Sequence, residues 1–209
     1  MPDSLDHRVT TKSIEMKVVL IGHPNVRDLE NLEQHSFSAE NITLHVKYVH
    51  QPGVMYELFV NNPGLLDPAF EFEPDCVLVV LAGKSLHNSV TISEVYQHCR
   101  SFYQLVRNRL PRAQIIAAQV GLRFYKSTNK LDSPGKTSFK KRRADLNNFL
   151  KRLKCKDATM MVAGPNRLDG EVYHRDEVHL NQVGIRKYFD FVKCTIAYGY
   201  RKSRQQSCN

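Results

Sequence analysis

No stretch of this chain is apolar over the ~18 residues that a membrane-spanning helix needs. The longest apolar run, "CVLVVLAG" from Cys76 to Gly83, has the length of a buried strand. The opening "MPDSLDHRVTTKS" is polar and holds no apolar segment of the secretory kind. Cysteine is sparse: Cys76, Cys99, Cys155, Cys194 and Cys208 are scattered, with no C-x-x-C pair. An odd count without a leader points to reduced thiols rather than a disulfide framework. "NIT" at Asn41 has the form of a glycosylation acceptor, but without secretion it reads as a turn entering a strand. There is no internal repeat. The expectation is an intracellular protein, cytoplasmic or nuclear, with no membrane partner, no metal and no cofactor.

Acidic residues are also short in one place. From Gly121 to Lys156 there are 12 basic residues and 2 acidic ones, while the rest of the chain holds 18 basic against 19 acidic. The formal charge of +9 is therefore local: a near-neutral body carries one basic region.

What is present is an alternation of strands and helices. Lys17–Ile21 reads as a buried strand and Val26–Gln34 as a helix. Ile42–Val49 alternates Ile42, Leu44, Val46 and Tyr48 with polar residues, the period of a strand. Val54–Val60 is a short helix, and Cys76–Leu81 an apolar strand buried on both faces. Thr91 with Glu94 makes a capping box, followed by Val95, Cys99, Phe102, Val106 and Leu110 at helical spacing up to Pro111. Gln114–Ala118 is a strand. Thr137–Leu153 is a helix with Phe139, Leu146, Leu150 and Leu153 on one stripe. Thr159–Ala163 is the last strand and Gly184–Tyr198 the last helix. The pattern predicts a single α/β domain of three layers over residues 15–200, with a five-stranded parallel sheet and helices on both faces. Residues 1–14 read as a flexible N-terminus and 201–209 as a polar, frayed tail. In such a sheet, functional groups gather beyond the carboxyl ends of the strands.

Unusual residues stand at those ends. "DEVHLNQVGIRKYF" puts Asp176 three residues before His179, just ahead of a helix. A carboxylate so placed fixes the imidazole tautomer and raises its basicity. "VVLIGHPNVRDL" is a strand that stops at Gly22 and gives way to a helix through a short turn containing Pro24.

Together these strings resemble the SGNH (GDSL-type) hydrolases, over nearly the whole chain from about Lys17. "D-x-V-H-L-N-x-x-G" is similar to the family's last block, and "IGHPNVRDL" to the first block of a subgroup that begins G-H-S-x-V-R. Gly53 in "HQPGVMYEL" matches the second-block glycine, and "VLVVLAGKSL" the strand leading into the G-x-N-D block. The resemblance implies a flavodoxin-like fold and acyl-ester chemistry. A first-block serine attacks, the last-block histidine takes its proton and the aspartate orients that histidine. The serine N–H, the second-block glycine N–H and the third-block asparagine hold the oxyanion.

Carried over position by position, Gly53, Asp176 and His179 are retained. Pro24 stands where the serine would be, and it has neither a hydroxyl nor an N–H. Lys84 stands for the oxyanion asparagine, Ala82 for the block's first glycine and Ser85 for its aspartate. Losing one oxyanion donor costs ~10²–10³ in rate. The expectation is an esterase-like protein without ordinary esterase activity. The alternative is a carboxylic-ester hydrolase that still uses His179 and Asp176, with an altered nucleophile or an activated water.

The basic region offers a second function. Lys140, Lys141, Arg142, Arg143, Lys151 and Arg152 read as avoiding the apolar stripe of their helix. Either they form a solvated face, or they neutralise the phosphates of a nucleic acid or another polyanion. Phe124 and Tyr125 lie beside them in the sequence, and "KKRR" weakly resembles a nuclear-import signal. The G-H-x-x-V-R opening is similar to that of SGNH domains in transposable-element-derived proteins, some of which accompany RNA. The sequence leaves the oligomeric state open.

Overall fold

The structure, a computed structural model, describes residues 14–22, 24–32, 36–39, 41–51, 53, 55–81, 86, 91–121, 139–157, 159–164, 172 and 180–207. The strands are β1 (Ile14–Gly22), β2 (Ser36–Ala39), β3 (Ile42–His50), β4 (Cys76–Val80), β5 (Gln114–Ala118) and β6 (Met160–Ala163). The helices are α1 (Pro24–Glu30), α2 (Tyr56–Asn61), α3 (Asp67–Glu71), α4 (Ile92–Arg109), α5 (Phe139–Lys154) and α6 (Gln182–Ser207), with a 3₁₀ turn at Pro63–Leu66. The sheet order is β2-β3-β1-β4-β5-β6. All neighbours are parallel except β2, which runs antiparallel to β3 at the edge. The expected five parallel strands are present, and β2 is a sixth that the sequence did not suggest. With β2 set aside, the strands numbered in chain order run 2-1-3-4-5, the flavodoxin arrangement.

Strand alternation divides the core between two faces. Met16, Val18 and Leu20 of β1 pack with Val26 and Leu29 of α1 and with Tyr188, Val192 and Ile196 of α6. Val19 and Ile21 point the other way, into Phe59 of α2, Phe102 and Val106 of α4, and Leu146 and Phe149 of α5. All five residues of β4 are buried, as a strand covered on both faces requires. The Thr91–Glu94 capping box opens α4: Glu94 N–H donates to Thr91 Oγ1 at 3.3 Å, and Thr91 N–H to Glu94 Oε2 at 2.7 Å. Several ends differ from the sequence reading: β1 starts at Ile14, inside the segment read as a flexible N-terminus, and two helix ends shift by more than a turn. α1 stops at Glu30, short of Gln34. α6 runs to Ser207 rather than ending near Tyr198, because no proline interrupts it and its last turns carry i,i+4 pairs. Lys202 lies over Tyr198 and Arg204 over Tyr200, at 5.5 and 5.6 Å from the ring centroids.

Where α4 and α5 end, one arginine ties the turns together. Arg107 Nε donates to Asp157 at 3.0 Å, and its Nη1 donates to the carbonyls of Leu110, Pro111 and Ala113. Burial opposes the Asp157 charge, but the Thr159 hydroxyl and Arg107 outweigh it and hold the carboxyl below its ordinary 3.8. A carboxyl lowered in the folded state stabilises above its unfolded value, and that contribution is lost as pH falls through the folded one. Arg107→Ala is therefore expected to lower stability by about 2 kcal/mol at neutral pH. The gap from the wild type should narrow below about pH 4, as read by urea unfolding across pH. A gap that stays constant with pH would exclude the Asp157 charge as its source.

Candidate functional site

The strand order reverses between β1 and β4, the point where open α/β sheets place their ligands. Gly22 closes β1 there, in register with Val80 of β4 on one side and His50 of β3 on the other. The position has no room for a side chain. A Cβ on Gly22 would lie 2.5 Å from Val26 Cγ2 and 2.7 Å from the Val80 carbonyl. Two residues on, Pro24 is the first residue of α1. Proline is favoured at a first helical position because the missing N–H has no helical partner in any case. Gly53 follows β3 in a half-exposed turn with φ of 68°, a conformation that costs ~1–2 kcal/mol with any Cβ. Pro24 and Gly53 thus stand beyond the ends of neighbouring strands. Lys84, Ala82, Ser85, Asp176 and His179 lie outside the described residues, as do Phe124 and Tyr125.

The described end of the last motif has a structural task of its own. Asn181 caps α6: its Oδ1 accepts from Gly184 N–H at 3.0 Å. Its own N–H donates to the Val172 carbonyl at 2.9 Å, and Leu180 before it is buried. A Cβ on Gly184 would lie 2.2 Å from that same carbonyl. The Leu-Asn-x-x-Gly part of the string is therefore what seats the start of α6 against Val172.

The same edge holds a pair that sequence reasoning missed. His50 Nε2 lies 2.7 Å from Glu30 Oε2, joining the end of β3 to the last residue of α1. Below it Tyr48 is buried, and burial with the nearby Glu30 charge pushes its hydroxyl up to about 12. The signal available was parity alone: His50 continues the alternation of Leu44, Val46 and Tyr48 onto the face that α1 covers.

The two buried cysteines among the described residues are not suited to act as nucleophiles. Cys76 begins β4, at the opposite end of the sheet, and Cys99 sits in the α4 core. Burial pushes both thiols up to about 12, which leaves no thiolate at neutral pH. Among the described residues no cluster of three or more His, Cys, Asp or Glu side chains could hold a metal ion, and no helix is long and apolar enough to cross a membrane.

The basic helix is α5. Lys140, Lys141, Lys151 and Arg152 are exposed, as are Lys154 and Lys156 beyond them. Arg142 and Arg143 are half-buried, which corrects the expectation that they avoid the apolar stripe. They fall three and four residues after Phe139 and before Leu146, and so occupy the stripe itself with their stems. The first turn of α5 holds no acid, so its cations face the positive end of the helix dipole.

No family model matches the sequence, and no curated protein matches it. Solved structures do match the fold. The chain is similar to the psychrotrophic esterase EstA from Pseudoalteromonas sp., at 10% identity and a TM-score of 0.65, over 88% of this chain and 98% of that one. It is similar to a carbohydrate esterase family 3 protein from Talaromyces cellulolyticus, at 12% identity and 0.61, over 88% and 97%. A GDSL-like lipase from Bacteroides thetaiotaomicron matches at 14% identity and 0.56, over 90% and 89%. The chain thus shares its α/β fold with these two esterases and this lipase. At such identities the likeness is one of fold, and activity rests on the site.

Proposed function

We propose that this protein is an SGNH-fold chain without ordinary ester hydrolysis, and that the exposed cations of α5 bind an anionic partner. One observation carries the first half. The residue that opens α1 beyond the Gly22 turn is Pro24, at the position from which the resembled family's serine would attack. Proline supplies neither a nucleophile nor an oxyanion N–H, and Lys84 at the asparagine position removes a second donor. Removing a nucleophile and an oxyanion donor together leaves little acyl-enzyme chemistry.

The second half is supported by the first-turn cations Lys140 and Lys141, which the helix dipole disfavours. Cations in a first helical turn each oppose the dipole by ~0.3–1 kcal/mol. A phosphate or sulfate chain lying on α5 would relieve that repulsion and release counterions.

The test is hydrolysis of p-nitrophenyl acetate by the wild type beside His179→Ala, with retention on heparin measured in parallel. The two proteins are expected to hydrolyse the ester at the same rate, and both should elute from heparin only at raised salt. Turnover that disappears in His179→Ala would refute the first half and direct attention to Ser85, Lys84 or an activated water.

A further inference from the structure

Charge alone does not distinguish a nucleic acid from a sulfated glycan, but the seam between α4 and α5 adds an aromatic component. Tyr96 of α4 stacks on Phe149 of α5, with ring centroids 4.4 Å apart and planes within 10°. Guanidinium groups flank the pair: Arg100 lies 5.7 Å and Arg152 5.9 Å from the Phe149 centroid. Phe149 is buried, Tyr96 is half-buried, and both arginines are exposed. The seam thus holds a half-buried ring, Tyr96, stacked on a ring that two exposed cations approach, next to the helix that carries Lys140, Lys141 and Lys151. Asp145 also acts on the Tyr96 hydroxyl, against Arg152, so the seam is not uniformly positive.

We propose that this seam takes single-stranded nucleic acid, with one base stacked on Tyr96 and the flanking phosphates held by Arg100 and Arg152. The inference rests on the reading of α5 as a polyanion surface and names its ligand. The chemistry requires a single strand, because a base within a duplex is already stacked on its neighbours and offers no free face. Stacking on an aromatic side chain is tolerant of sequence and is worth ~1–3 kcal/mol per base. The arginines add a charge contribution that falls with salt.

The experiment is fluorescence anisotropy of a labelled oligodeoxythymidylate with the full chain, beside elution from heparin. Tyr96→Leu keeps apolar bulk over Phe149 and removes the π-face. It is expected to weaken oligonucleotide binding about tenfold while eluting from heparin with the wild type. Tyr96→Phe should bind as the wild type does. Arg100→Gln leaves the ring pair in place and should lower the salt slope by about 0.7. Thermal unfolding of each variant identifies any that fail to fold. If folded Tyr96→Leu binds the oligonucleotide as tightly as the wild type, the stack is packing only and the inference falls, while heparin retention keeps the broader reading. Retention on heparin without oligonucleotide binding also overturns the inference alone. A wild type that binds neither overturns both.

Discussion

Gly184→Ala is expected to lower stability by about 3 kcal/mol, more than an alanine substitution in a helix usually does. Helix propensity predicts the opposite sign, since alanine in place of glycine should gain roughly 1 kcal/mol in a helix. The clash outweighs that gain. The new Cβ would lie 2.2 Å from the Val172 carbonyl oxygen and 3.1 Å from the Cβ atoms of Val172 and Leu180. None of these is the far end of a flexible side chain. The carbonyl is also committed, since it accepts the Asn181 N–H at 2.9 Å. Relief therefore means moving α6 or breaking that bond, and α6 carries Tyr188, Val192 and Ile196 onto one face of the sheet. Gly164→Ala is the control, because nothing lies within 4 Å of a Cβ at that position. A fall in Tm of roughly 6–12 °C for Gly184→Ala, with no change for Gly164→Ala, is the expected result by circular dichroism. Equal melting of the two variants would mean that the start of α6 is not seated as described.

That glycine belongs to the string that carried the family resemblance, and its role separates what was legible from what was not. The parallel strands were readable because both of their faces are buried, so β4 and β5 show as short apolar runs with sharp ends. β2 was not readable. Its four residues, Ser36–Ala39, pair on one side only, and an alternation that spans just Phe37 and Ala39 is too short to mark a strand. α3 and the turn before it were hidden behind "NNPG", which reads as a turn and nothing more. At the site, Gly22 and Pro24 could be placed at a strand end from local pattern alone. The His50–Glu30 pair could not, because it joins residues 20 apart through the direction that α1 takes across the sheet. Arg142 and Arg143 show the converse error. A run of four basic residues suggests a solvated block, but helical geometry turns two of them inward and leaves Lys140 and Lys141 outside.

That division determines the most informative charge-reversal variant. Lys140→Glu, Lys141→Glu, Lys151→Glu and Arg152→Glu together remove four exposed cations and leave the half-buried pair to support the stripe. Each phosphate contact on a single strand contributes about 0.7 to the slope of log affinity against log salt. Four contacts correspond to a slope of about 3, or roughly a fifty-fold loss of wild-type affinity between about 50 and 200 mM salt. The quadruple variant is expected to lose most of that slope. Stability and affinity should move separately at the two ends of α5. Glutamates in the first turn favour the helix dipole, so Lys140→Glu with Lys141→Glu should melt slightly higher than the wild type while binding more weakly. Lys151→Glu with Arg152→Glu stands at the negative end of the dipole and should melt slightly lower while also binding more weakly. A binding loss that follows melting would be a folding defect. A loss common to both pairs, with opposite shifts in melting, is what a polyanion lying along the helix requires. If the wild-type affinity and slope survive in the quadruple variant, the cations of α5 are a solvated face and the partner binds elsewhere.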